Sequence, residues 1–402
     1  MNSEASVQER VISLGAGLAT IPERLLLAHA RGKILFICGA GVSNPAGLPD
    51  FRSLVIDVYQ KLDAGVHTVL KTLPLGICNQ WETNVSDLND AQRAEVKRFI
   101  LGDYDVVLGM LERRLDNQTR GDSRVRHAVI HRLRANTDRP APIHSALMRL
   151  ADRGGVTTIA TTNFDLLLER AARRRPSPVQ SYSLGAIPRP SMQSDFSGVF
   201  HIHGTLDPKP ERTSEVVLSD QDFGEFYLRR RVVPDFIYDA ARLYHLVLVG
   251  YSANDPPMRY LLNAVAADGT RFKDLKERFA FFGTRAPDPV ALEDWKARGI
   301  TPIYYDASDD HSALRNTLGR WADLSAINGR RDRVDAAIRN IVKLPRVAAP
   351  ESDRDLFDHF IRRSNPSERI RLSDLISNTN ADLGWLDAII QICTEQERER
   401  EQ

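Results

Sequence analysis

Four short clusters of this 402-residue chain set glycines and hydrogen-bonding side chains directly after apolar runs. The first is Gly39-Ala40-Gly41-Val42-Ser43, continued by Gly47-Leu48-Pro49-Asp50-Phe51-Arg52-Ser53. Glycines after a strand let the backbone approach a pyrophosphate, and the N-terminus of a following helix favours its charge. As a bare Gly-x-Gly the signal is weak and describes a tight turn equally well. The second is Thr161-Thr162-Asn163-Phe164-Asp165. An asparagine at a strand end can hold a ribose hydroxyl or position a water, while Asp165 equally suits a helix cap. In the third, His201-Ile202-His203-Gly204, strand alternation puts both imidazoles on one face. No third ligand stands at a diagnostic spacing, so no metal site is expected. The fourth is Gly250-Tyr251-Ser252-Ala253-Asn254-Asp255-Pro256, whose last two residues fit a helix cap and first turn.

These clusters need a scaffold that brings strand ends together. Residues 33–38 are a short apolar run, and 156–161, 199–202 and 246–249 are further buried-strand candidates; each stops at a cluster, as strands buried on both faces do. Residues 278–282 and 303–305 can add edge strands. Helical spacing marks 166–172, 223–229, 258–265 and 291–298 between them. Alternating strands and helices imply an α/β fold, a Rossmann-like doubly wound parallel sheet, with ligands beyond the carboxyl ends of the strands. Residues 55–140 lack strands and read as a helical insertion, with 117–140 rich in polar surface residues. Residues 7–30 read as helix, restarted at Pro22. The strand signal stops near residue 330. The expected division is a catalytic domain over 1–328 and a helical C-terminal appendage over 329–402, suited to assembly or partner contact.

Composition narrows the function. Lys and Arg total 54 against 53 Asp and Glu, which gives no global field to hold a polyanion. The basic runs at 113–114, 173–175 and 229–231 read as solvated helix faces, and participation of nucleic acid stays open. No stretch reaches the ~18 apolar residues of a spanning helix, and the polar start has no leader-like segment, so a cytoplasmic location is expected. The cysteines, Cys38, Cys78 and Cys393, are scattered and form neither a disulfide framework nor a Cys-x-x-Cys zinc ribbon.

Taken in order, Gly-Ala-Gly-x-Ser with Gly-x-Pro-Asp-Phe-Arg, then Thr-Thr-Asn-Phe-Asp, then His-Gly, then Gly-x-Ser, the clusters resemble the nucleotide-binding motifs of sirtuins over residues 30–315. His144, in Ala141-Pro142-Ile143-His144, matches a further segment of that family and reads as structural. The resemblance implies NAD+ as the molecule bound and no metal. It implies cofactor contacts at Gly39, Ala40, Gly41, Ser43, Asp50, Phe51, Arg52, Asp165, Gly250 and Ser252, and catalytic roles for Asn163 and His203. His201 reads as support. Protein-deacylating sirtuins carry a four-cysteine zinc ribbon, which three scattered cysteines cannot supply. The chain is more similar to the zinc-free sirtuin-like proteins of bacterial antiphage defence. That likeness implies an NAD+ hydrolase releasing nicotinamide and ADP-ribose, a homo-oligomer, and a regulating partner such as a HerA-type ATPase. The alternatives are a protein deacylase or ADP-ribosyltransferase, and a module that senses NAD+ or ADP-ribose without turnover.

Overall fold

The N-terminal apolar spacing resolves into strands before it becomes helix. β1 (Val11–Ser13) pairs antiparallel with β2 (Thr20–Pro22), and Ile12 lies opposite Ile21 with both side chains fully buried. The expectation of helix from residue 7 is thereby corrected. β-Branched residues favour the extended chain, and Gly17 turns it at a φ of 72°. Helix begins only after Pro22, at α1 (Glu23–Ala30).

The computed structural model describes residues 9–74, 85–117, 123–134, 139–173, 178–191, 196–206, 216–251, 262, 265–266 and 274–401. Its main sheet contains β3 (Ile34–Cys38), β4 (Thr158–Thr161), β5 (Ser181–Ser183), β6 (Gly198–His201), β7 (His245–Val249), β8 (Arg278–Thr284) and β9 (Ile300–Asp306). The strand order is β5-β6-β4-β3-β7-β8-β9. The registers of β3 with β4, β4 with β6 and β5 with β6 are parallel, with Cys38 opposite Thr161 and Thr161 opposite His201. The expected α/β doubly wound architecture is present. Each apolar run forms a strand, whereas β5, a short and partly exposed Ser-Tyr-Ser, has no apolar run to announce it. The chain leaves β3 toward β4 on one side and returns to β7 on the other. Such a reversal opens a crevice at the strands' carboxyl ends.

Two compact units divide the chain. One holds residues 35–148 and 157–278. After β3 come α2 (Phe51–Leu62), α3 (Ala64–Leu70), α4 (Asp90–Ile100), α5 (Tyr104–Asp116) and α6 (Arg124–Arg134), the expected helical insertion. Val55, Val58, Tyr59, Leu108, Leu111 and Val129 form its buried core. α7 (Pro142–Ala151), α8 (Leu167–Ala171), α9 (Asp220–Phe223) and α10 (Val232–Leu243) complete the described helices here, and a π-turn, Gly224–Arg229, follows α9 directly. The helix expected over 258–265 lies largely outside the described residues, as do residues 118–122 and 135–138 of the polar stretch.

The other unit gathers residues 1–34, 149–156 and 279–402. It adds α11 (Pro289–Ala297), α12 (Ser312–Leu324), α13 (Arg331–Ile341), α14 (Glu351–Arg363), α15 (Pro366–Ser377) and α16 (Gly384–Glu401). A boundary at 328 does not separate these units. Buried Glu23 of α1 accepts from Arg362 at 2.7 Å and pairs with His359 at 3.2 Å, so the C-terminal helices share a core with the N-terminal segment. Among the described residues no helix is long and apolar enough to cross a membrane.

Candidate active site

The loop after β3 is shaped by the end of β7. The Gly39 N–H donates to the Val249 carbonyl and the Gly41 N–H to the Gly250 carbonyl, each at 2.9 Å. A Cβ on Gly39 would lie 2.6 Å from the Gly250 oxygen. Gly250 itself turns at a φ of 66°, and a Cβ there would sit 2.5 Å from the Val42 nitrogen. The glycines thus serve backbone-to-backbone approach first. Ala40, exposed at the start of the short 3-10 turn Ala40–Val42, faces outward.

Ser43 lies buried where this turn meets the end of β4. Its hydroxyl donates to Asp165 Oδ2 at 2.8 Å and accepts from Asn163 Nδ2 at 2.9 Å. Asn163 Nδ2 also donates to the Gly39 carbonyl at 3.0 Å. Asp165 Oδ1 accepts the Leu167 N–H at 3.0 Å, so the same carboxylate meets the first residue of α8 and anchors Ser43. With Nδ2 held on two acceptors, the orientation of the Asn163 amide is set.

The ends of β4 and β6 are tied together. The Leu206 N–H donates to the Phe164 carbonyl at 2.9 Å, and the Ile202 N–H to the Thr161 carbonyl at 2.9 Å. Fully buried His201 bridges the two: Nδ1 donates to the Asn163 carbonyl at 3.0 Å and Nε2 meets Glu169 Oε1 at 2.8 Å. Burial alone would depress this imidazole, but the Glu169 carboxylate outweighs it and holds His201 above its ordinary value. Glu169 is correspondingly low despite its burial, through His201 and the Ser181 hydroxyl. His201 is therefore a support for Asn163.

His203 differs. Its Nε2 lies 2.6 Å from the Tyr227 hydroxyl, and burial pushes the imidazole down to about 3. It is neutral at physiological pH. Phe223 and Tyr227 meet it at ring-centroid distances of 5.7 and 5.9 Å. Sequence reasoning missed both aromatics. Their spacing of four is the one signal present, and it reads as helical core.

The remaining candidates have other partners. Asp50 caps α2, accepting the Ser53 N–H at 2.7 Å. Arg52 donates to the Leu73 carbonyl at 2.8 Å and lies over the Phe99 ring, while the Phe51 ring packs edge-on against Tyr104. All of these contacts belong to the helical insertion. His144 is buried, its Nδ1 accepting the Ala141 N–H at 3.1 Å at the start of α7. Burial and the nearby Asp165 push the Cys38 thiol up, which rules it out as a nucleophile. Ser252, Ala253, Asn254, Asp255, Pro256 and Cys78 lie outside the described residues. Among the described residues no group of three or more His, Cys, Asp and Glu could hold a metal ion.

These strand ends lie largely in a segment that matches a known domain. Residues 157–303 match the SIR2-like domain. An uncharacterised protein, y4cA of Sinorhizobium fredii, is 32% identical over 366 residues; the match covers 85% of this chain and 28% of that protein. The chain thus spans less than a third of that relative's length. Two solved structures are also similar. One, described as the structural basis for the mechanism and regulation of Sir2 enzymes, is 15% identical, with a TM-score of 0.36 over 75% of this chain and 98% of its own. The other, a Sir2 homologue–NAD complex, is 14% identical, with a TM-score of 0.37 over 78% of this chain and 98% of its own.

Proposed function

We propose that this protein is an NAD+ hydrolase that breaks the nicotinamide–ribose bond with water, releasing nicotinamide, ADP-ribose and a proton. The observation that carries the reading is the convergence on Asn163. Its amide is held by Gly39 and Ser43, and its backbone by His201, at the ends of adjacent parallel strands. A SIR2-like domain over residues 157–303 supports the same substrate.

The chemistry asks little of the site. The leaving nicotinamide is already cationic, so no strong acid is needed, and the transition state is oxocarbenium-like as in other glycosyl transfers. With Nδ2 fixed, Asn163 offers its Oδ1 to a ribose hydroxyl or to the attacking water. In this reading Ala40 and the start of its 3-10 turn meet the pyrophosphate. A group with a pKa of about 3 is a poor proton acceptor at neutral pH. His203 therefore acts by hydrogen bonding to a ribose hydroxyl, the second of the two roles a histidine could take here. Asp50, Phe51 and Arg52 act on the nicotinamide end through the packing of α2. Three cysteines cannot build the four-cysteine ribbon of deacylating sirtuins, which favours water over acyl-lysine as acceptor.

An unrestrained NAD+ hydrolase is toxic to its cell. We therefore extend the proposal to a defence role against phage, in a homo-oligomer whose activity is released by a partner such as a HerA-type ATPase. The test is NAD+ consumption by the purified chain without any peptide, alone and with the product of the neighbouring gene. Equimolar nicotinamide and free ADP-ribose are expected, and Asn163→Ala should remove them. Nicotinamide release that requires an acyl-peptide or a protein acceptor returns the chain to the transferases. Tight NAD+ binding with no nicotinamide under any condition makes it a sensing module.

A further inference from the structure

The described residues give the His203 ring one hydrogen-bond partner, the Tyr227 hydroxyl at 2.6 Å. A neutral imidazole carries one donor and one acceptor nitrogen, and a tyrosine hydroxyl can pair with either. Tyr227 reaches this place through an uncommon element. It lies in the π-turn Gly224–Arg229, whose wider winding re-aims side chains and recurs at functional sites. The turn is held firmly at its start. Asp222 Oδ2 accepts from the Leu218 and Ser219 N–H groups at 3.0 and 2.9 Å, and from buried Arg126 at 2.6 Å. Phe223 also meets the imidazole edge-on, and its ring lies 5.3 Å from that of Tyr227, so the two aromatics form one wall beside the histidine.

We propose that Tyr227 is a positioning residue for His203: its hydroxyl oxygen accepts the Nε2 proton and leaves Nδ1 as the acceptor offered to the ligand. The pairing rests on the 2.6 Å contact, and its direction rests on the hydrolase reading, which asks for an acceptor nitrogen facing the ligand. Tyr227 touches no reacting atom. It holds the ring plane and, with this direction, the tautomer of a histidine that has no carboxylate partner among the described residues.

Two measurements on Tyr227→Phe test this. The ring is retained, so the packing around Phe223 should survive. In 15N-histidine NMR spectra, with the His203 signal assigned by its loss in His203→Ala, the wild type should show the Nε2-protonated tautomer and the variant a mixture. A wild-type Nδ1-protonated ring, or a tautomer unchanged by the substitution, overturns the proposal whether or not the protein hydrolyses NAD+. In the activity assay, Tyr227→Phe should lower kcat about tenfold with KM for NAD+ within about twofold, the signature of an interaction strengthened in the transition state. It should add nothing in a His203→Ala background. Unchanged or raised turnover overturns the positioning role, a rise meaning that Tyr227 instead blocks the histidine. Absence of NAD+ turnover in every form, with the expected tautomers, removes the hydrolase reading and leaves the tyrosine's action on the ring standing.

Discussion

Ser43 shows how tightly the site's smallest parts are coupled. Its hydroxyl is both donor to Asp165 and acceptor from Asn163, so Ser43→Ala leaves a buried carboxylate oxygen and an amide hydrogen each short of a partner. A buried polar group left unsatisfied costs about 1–3 kcal/mol, more when charged. Ser43→Ala is expected to lower stability by about that amount and kcat/KM for NAD+ by about tenfold, because the Asn163 amide is then held by the Gly39 carbonyl alone. Denaturant titration and steady-state kinetics check the two effects. Wild-type kinetics in the variant would show that the Asn163 amide is set by other means. Glu169→Gln probes the other support. It removes the carboxylate that fixes the His201 ring beside the Asn163 carbonyl, and a measurable fall in kcat is expected. Most of this constellation was legible from residue types and order: Asn163, Asp165 and Ser43 stand in motifs. Tyr227 was not, because an aromatic on a helical stripe looks like core until the strand end it returns to is known. Arg52 belongs to a motif as well, yet its hydrogen bond goes to Leu73, a partner its spacing does not reveal.

At the scale of elements, the strands were legible because a parallel sheet buries both faces and leaves short, largely apolar runs ending in polar or glycine clusters. The N-terminal hairpin was not. Ile12, Leu14 and Ile21 fit a helical stripe by count, and only the glycine turn and β-branching distinguish the two. The contact between the loop after β3 and the end of β7 is the most exacting junction in the sheet. Gly250→Ala brings a Cβ to 2.5 Å from the Val42 nitrogen at a φ of 66°. The loop must move or the unit must loosen. A loss of roughly 2 kcal/mol or more is expected from the strain alone, with NAD+ binding lost before folding is. Isothermal titration beside thermal unfolding separates the two, and unimpaired binding would sink the idea that this junction shapes the phosphate loop. A second element-level test concerns Arg126, fully buried between Glu112 at 3.0 Å and Asp222 at 2.6 Å. Arg126→Met strands two carboxylates in the core, and removing one partner of a buried pair costs about 3–5 kcal/mol. The same change releases the start of the π-turn, so a partly destabilised Arg126→Lys should reproduce the kinetic defect of Tyr227→Phe more than its own loss of stability.

Over the whole chain, the buried histidines set the response to acid. The unit that gathers residues 1–34, 149–156 and 279–402 contains His29 and His359, each pushed down to about 4 by burial. His29 Nε2 donates to the Leu150 carbonyl at 2.9 Å and its ring lies 5.2 Å from that of Trp321, so it is packed as a neutral group. An unfolded histidine takes up a proton near pH 6.5, whereas the folded one refuses it until about pH 4. Between these values the unfolded chain binds more protons, and stability falls as pH falls. Above the window both states are neutral and His29 contributes no slope; below it both are charged and the slope ends. At about 1.4 kcal/mol per pH unit, each such histidine can withdraw roughly 3 kcal/mol across the window. Glu23 adds to this at lower pH, since its carboxylate is held below the ordinary range, against the cost of burial, by His359 and Arg362. His201 runs the other way. Its raised value favours the folded state below pH 6.5 and loses that advantage as pH rises through the folded value. The net expectation is a molecule that loses stability steeply between pH 6.5 and 4, while its neutral His203 adds no ionisation to the pH–rate profile at neutral pH. Scanning calorimetry on wild type and His29→Phe tests the balance. The phenylalanine keeps the contact with Trp321 but cannot titrate, so the variant should start less stable at pH 7 through the lost Leu150 bond and then lose less on acidification. Parallel pH curves for the two proteins would mean that the acid response resides in the carboxylates instead.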